Sequence, residues 1–60
     1  MKDRYPIGTL VRHRHFIARK LGIVTEHAVH PKMVVRWFHS PQATYEEMWE
    51  IISIEEIDND

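Results

Sequence analysis

Cysteine is absent from this sequence of 60 residues, and glycine occurs only twice. Without cysteine the chain forms no disulfide bond and no thiolate zinc site. No apolar run approaches the ~18 residues of a membrane span, and the start with Lys2 and Asp3 does not fit a signal peptide. We therefore expect one domain, residues 1–60, that contacts no membrane and resides in the cytoplasm or in a larger assembly.

Residues that perform catalysis are also scarce. Two glycines cannot build a phosphate-binding loop, and the only serines, Ser40 and Ser53, have no nucleophile motif around them. A chain of this size leaves little room for a pocket that would enclose a small-molecule substrate. We predict that the protein is not an enzyme and uses no cofactor.

Basic and acidic residues are separated along the chain. All eight Lys and Arg lie between Lys2 and Arg36, whereas seven of the nine acids lie between Glu46 and Asp60. The separation indicates either two halves that neutralise each other on folding, or a basic face that meets a partner.

Three segments alternate apolar and polar residues as strands do: 9–16, 22–26 and 33–38. The third has the clearest alternation, with Met33, Val35 and Trp37 on one face. We expect this face to be buried and Arg36 to lie outside.

Residues 44–52 fit two structures. Four large apolar residues have the i, i+3, i+4, i+7 spacing of an amphipathic helix: Tyr45, Met48, Trp49 and Ile52. Thr44 and Glu47 would form its capping box. Against this local pattern, three earlier strands need further strands to complete a sheet. We therefore predict a mostly β protein, either a small five-stranded SH3-like barrel with a tight turn and closing strand at 53–57, or a β-sheet with one short helix at about 44–52.

Five histidines are the most conspicuous polar side chains, and His13 and His15 would share a strand face. Three imidazoles could hold zinc, but no carboxylate stands at a recognisable spacing to orient them. We expect no metal site, and we expect these histidines at the surface or in an interface, where they would respond to pH.

Basic and aromatic residues together form the predicted binding surface. Its seven members are Arg12, Arg14, Phe16, Arg19, Lys20, Arg36 and Phe38. Arginine and aromatic side chains are enriched in protein interfaces, so a protein partner or a homo-oligomer is the leading expectation. The same residues would suit nucleic acid, through phosphate contacts and base stacking, although the pI near 6.5 is low for that class.

Four short motifs resemble the small SH3-like barrels of KOW and Tudor type, above all short uncharacterised proteins of tailed bacteriophages. The motifs are Gly-Thr-Leu-Val at 8–11, Gly-Ile-Val at 22–24, Val-Val-Arg-Trp at 34–37 and Ile-Glu-Glu-Ile at 54–57. The resemblance spans residues 6–57. It implies an interaction module, an accessory or structural phage protein that docks onto a larger assembly in the host cytoplasm or in the virion. A docking protein that regulates host transcription or proteolysis is a further alternative.

The front of the chain is also similar to the YccV-like (HspQ) family, through residues 7–14 and 22–24. The likeness ends after Thr25, where the Asp-Pro pair and the longer acidic tail of that family are missing. It implies an SH3-like fold again, and we carry no function over from it.

Overall fold

Five antiparallel strands form one sheet in the computed structural model, which describes residues 4–55. The strands are β1 (Leu10–His13), β2 (Gly22–His27), β3 (Lys32–Trp37), β4 (Ala43–Glu47) and β5 (Ile51–Ser53). Their order across the sheet is β4-β3-β2-β1-β5. The prediction of a mostly β protein with five strands is confirmed.

The core lies on one side of this sheet and is centred on β3. Met33, Val35 and Trp37 are at most 2% exposed, and their alternation with exposed Arg36 confirms the predicted faces. Three further apolar residues complete the buried cluster: Val11 on β1, Val24 on β2 and Ile51 on β5. The strand forms because β-branched and aromatic side chains suit a pleated surface that is buried on one face.

Gly22 is needed at the start of β2 because the indole of Trp37 packs directly on its backbone. The two residues are register partners, and a Cβ built on Gly22 would lie 2.6 Å from Trp37 Cε3 and 2.8 Å from Val35 Cγ1. Neither contact is a tolerable van der Waals distance. The glycine thus allows the largest core side chain to lie against the sheet.

The sheet is rolled rather than flat. β4 and β5 lie at opposite ends of the strand order, so a flat sheet would separate them by four strand spacings, about 19 Å. The chain from Glu47 to Ile51 has four Cα–Cα steps and spans at most about 14 Å. The two edges must therefore approach each other. Beside the turn that joins them, the Arg14 N–H donates to the Glu50 carbonyl at 2.9 Å and extends the pairing of β1 with β5 by one residue. Within residues 4–55 no ladder pairs β4 with β5, so the sheet is not closed by hydrogen bonds.

The helix predicted as the alternative for residues 44–52 is wrong. This segment contains most of β4, a turn at 48–50 and the start of β5. Tyr45 and Trp49, two members of the helical stripe, are exposed, whereas Ile51, which lies outside the stripe, is fully buried. Pairing of β4 with β3 over five residue pairs outweighs the local helical preference.

The boundaries of two other segments differ from the prediction. The closing strand is Ile51–Ser53 rather than the end of segment 53–57, because Ile51 and Ser53 both turn into the core beside β1. Residues 56 and 57 lie outside the described part of the chain. The first strand ends at His13 instead of residue 16, because the His13 side chain binds the backbone N–H groups of His15 and Phe16.

We predict that Gly22→Ala lowers the free energy of unfolding by about 1–3 kcal/mol, because the new methyl group forces the Trp37 ring out of its position. Urea denaturation measures this loss. Gly8→Ala is the comparison: Gly8 has a φ of 98°, but a methyl group added there would have no heavy atom within 4 Å, so only backbone strain opposes it. Equal stability of Gly22→Ala and the wild type would contradict the packing described here.

Candidate functional site

His13 is the last residue of β1, and its imidazole lies on the core side of the sheet. The residue is only 3% exposed. Its Nδ1 lies 3.0 Å from the backbone N of His15 and 3.1 Å from that of Phe16. Because both backbone N–H groups can only donate, Nδ1 is the acceptor and the ring carries its proton on Nε2. These two hydrogen bonds turn the chain out of the strand after His13, and β1 therefore stops there.

Glu46 points inward from β4 toward the same imidazole. Its Oε2 accepts hydrogen bonds from Arg19 Nη1 and from Thr44 Oγ1, each at 2.8 Å. The other oxygen, Oε1, lies 3.3 Å from His13 Nε2. Trp37 Nε1 donates to Thr44 Oγ1 at 2.8 Å. We call these five residues, which connect β1, β3, β4 and the loop after β1, the inner polar network.

Arg19 covers this network from the loop between β1 and β2. Its guanidinium carbon lies 5.0 Å from the centre of the Phe16 ring and 5.8 Å from that of Trp37, both within cation–π range. The Phe16 ring also packs against His13, with 4.7 Å between ring centres. Arg19 and Phe16 thus hold the loop against the sheet, although both belong to the predicted binding surface.

The inner polar network has the contacts of a structural element rather than of a reaction centre. His13 Nδ1 is saturated by two backbone donors, and Glu46 already has three partners. A cavity of about 330 Å³ lies elsewhere, between residues 8–10 and 53–55. No group of three or more His, Asp or Glu within residues 4–55 is placed to hold a metal ion.

The opposite side of the sheet carries a second group of predicted residues. Arg36 on β3 lies opposite Ile23 on β2, and Ile23 lies opposite Leu10 on β1. Arg12 follows on the same side of β1, because alternate residues of a strand face the same way. Phe38 extends β3 by one position, since its N–H donates to the Leu21 carbonyl at 3.0 Å. We call Leu10, Arg12, Ile23, Arg36 and Phe38 the outer patch.

The outer patch combines apolar area with positive charge that has no carboxylate partner among residues 4–55. Phe38 is 54% exposed and Leu10 is 43% exposed. In the part of the chain that the structure describes, neither Arg12 nor Arg36 forms an ion pair; Arg12 donates only to the backbone carbonyl of His13, at 3.3 Å. Two strand spacings, about 10 Å, separate the strands that carry the two guanidinium groups.

The structure therefore divides the seven predicted binding residues. Arg12, Arg36 and Phe38 share the outer patch, Phe16 and Arg19 belong to the inner side, and Arg14 and Lys20 lie in the loop after β1. Leu10 and Ile23 were missed by the sequence reasoning. Their signal was present, since each alternates with a core valine, Val11 or Val24, and must face the opposite side.

Exposed apolar side chains outnumber the core. Eight large hydrophobic residues of the described chain are exposed, against six in the buried cluster. The exposed residues are Ile7, Leu10, Phe16, Ile17, Val29, Phe38, Tyr45 and Trp49. They are distributed over the molecule: Leu10 and Phe38 lie in the outer patch, Tyr45 on β4 and Trp49 in the turn that follows β4.

No protein-family model, curated protein or solved structure matches this chain. Its function must therefore be argued from its own residues. Among residues 4–55 there is no helix long and apolar enough to cross a membrane.

We predict that Glu46→Gln lowers the free energy of unfolding by about 1–3 kcal/mol, because Arg19 and His13 lose the carboxylate between them. The partial exposure of Arg19 keeps the loss below that of a fully buried ion pair. Glu47→Gln is the matched control, since Glu47 is the neighbouring glutamate and lies on the other face of the sheet, opposite Lys32 in the strand register. Urea denaturation of Glu46→Gln, Arg19→Gln and the double variant measures the interaction between Glu46 and Arg19. If the two single losses of stability add up to that of the double variant, the two side chains are not coupled and the contact is contradicted.

Proposed function

We propose that this protein is a non-enzymatic interaction module with an SH3-like barrel architecture, and that it docks onto a protein partner through the outer patch. The rolled sheet of five antiparallel strands supports the architecture. The resemblance to short phage proteins supports a role as an accessory or structural protein within a phage-derived assembly, in the host cytoplasm or in the virion.

The observation that carries the docking role is the composition of the outer patch. Phe38 and Leu10 are large apolar groups exposed on a regular sheet face, and Arg12 and Arg36 flank them without carboxylate partners among the described residues. Aromatic and arginine side chains on a rigid element are typical anchors of protein interfaces. Because their backbone is held in the sheet, little conformational entropy is lost when they bind.

The partner is expected to present carboxylates beside apolar side chains. Two guanidinium groups that form no ion pair within residues 4–55 gain most from acidic groups, since charge-assisted hydrogen bonds to Arg are strong and directional. The apolar positions between them require a dry contact at the centre of the interface. An acidic segment with one or two large apolar residues satisfies both conditions.

Nucleic acid is the alternative partner for the same residues. Arg12 and Arg36 could contact phosphates while Phe38 stacks on a base. The overall charge weighs against it, because the pI near 6.5 lies far below the strongly basic value of a dedicated nucleic-acid binder. We therefore favour the protein partner.

Panning a random peptide library on the purified chain tests the proposal. We expect enrichment of peptides that combine Asp or Glu with aromatic or aliphatic residues. Arg36→Glu and Phe38→Ser should each weaken binding of an enriched peptide at least tenfold, measured by fluorescence anisotropy, because each removes one of the proposed anchors. Lys20→Glu is the control, since it reverses a charge outside the outer patch and should bind as the wild type does.

Two results would contradict the proposal. One is peptide binding that the outer-patch variants leave unchanged. The other is tight binding of a short DNA or RNA that falls linearly with the logarithm of salt between about 50 and 200 mM, as phosphate contacts require. The second result would mean that the outer patch binds nucleic acid instead of a protein.

A further inference from the structure

The outer edge of β4 is open. β4 pairs with β3 on one side. Within residues 4–55 its backbone makes no further hydrogen bond except at its end, where the Glu47 carbonyl accepts from the Glu50 N–H in the turn. An open edge of this length is a template for another strand. The devices that usually protect such an edge are weak here, because β4 contains no lysine and no proline.

Glu46, the inward charge of β4, does not protect the edge either. Its carboxylate is neutralised within its own chain by Arg19 and lies beside His13. It therefore presents no unpaired charge to an arriving strand.

We infer that the chain forms a symmetric dimer in which the β4 edges of two copies pair in antiparallel register about Tyr45. Tyr45 is the central residue of β4, so a twofold axis through it places Tyr45 opposite its own copy. Ala43 then lies opposite Glu47 of the second copy, and Thr44 lies opposite Glu46. The two sheets become one continuous sheet.

This register is self-complementary in its apolar contacts. Tyr45 is 70% exposed in the single chain and lies beside Val34 of β3. In the dimer two tyrosine rings meet at the centre, and a valine flanks each of them. Cross-strand aromatic pairs of this kind stabilise a sheet.

The same register is complementary in charge. Ala43 lies between Arg36 on β3 and, in the dimer, Glu47 of the second copy. Because alanine has no side chain beyond Cβ, the long Arg36 and Glu47 side chains can meet above it, across about 10 Å of backbone spacing. The contact occurs twice by symmetry. Arg36 also belongs to the outer patch, so this contact competes with a docking partner for that side chain, whereas the pairing of the β4 edges does not depend on the docking partner.

The absence of cysteine makes a direct test possible, since any engineered cysteine is the only thiol in the chain. Under mild oxidation Tyr45→Cys should form a covalent dimer in high yield, because identical positions face each other at a distance that a disulfide can span. Ala43→Cys alone and Glu47→Cys alone should remain monomeric on a non-reducing gel. An equimolar mixture of these two variants should cross-link, because positions 43 and 47 oppose each other.

Light scattering of the unmodified chain complements the cross-linking. At high concentration we expect a molar mass twice that of one chain. Tyr45→Lys should reduce the mass to that of one chain and preserve the β spectrum, since it places like charges on the twofold axis. A monomer at every concentration, or Ala43→Cys cross-linking as fast as Tyr45→Cys, would overturn the dimer. Neither result would affect peptide binding by the outer patch, so the two proposals fail separately.

Discussion

The rolled shape of this sheet depends on the contacts that the Glu46 carboxylate makes. β1 and β4 are separated by two other strands in the sheet order, yet His13 on β1 lies 3.3 Å from Glu46 on β4. This contact is geometrically possible only if the sheet is rolled, and Arg19 adds the loop after β1 to the same carboxylate. It also joins the basic and acidic halves of the sequence, so the separated charges serve folding at this point.

A buried carboxylate is costly unless each of its oxygens is satisfied. Here the guanidinium, the threonine hydroxyl and the imidazole satisfy it, and the imidazole in turn satisfies two backbone N–H groups at the end of β1. The six residues of the apolar core are thus supplemented by a connected polar network, in a chain with no disulfide. Of the eight exposed large apolar residues of the described chain, Leu10 and Phe38 lie in the outer patch and Tyr45 lies on β4, the two surfaces for which we propose partners.

Local pattern was sufficient to predict β2, β3 and the buried Trp37 face, because alternation along a strand depends only on neighbouring residues. It failed at residues 44–52, where pairing with β3 and the inward turn of Glu46 overrode a helical spacing. Local pattern also does not show that a carboxylate 27 positions later neutralises Arg19, and the binding role of Arg19 stays a prediction. Arg12, Arg36 and Phe38 were brought together by register, which composition alone does not reveal.

The most direct test of this account is the tautomer and surroundings of His13, observed by ¹⁵N–¹H NMR of its imidazole. We expect an unprotonated Nδ1, a proton on Nε2, and nuclear Overhauser contacts from the ring to the Glu46 side chain. A proton on Nδ1, or no contact between His13 and Glu46, would contradict both the inner polar network and the rolling of the sheet that it holds.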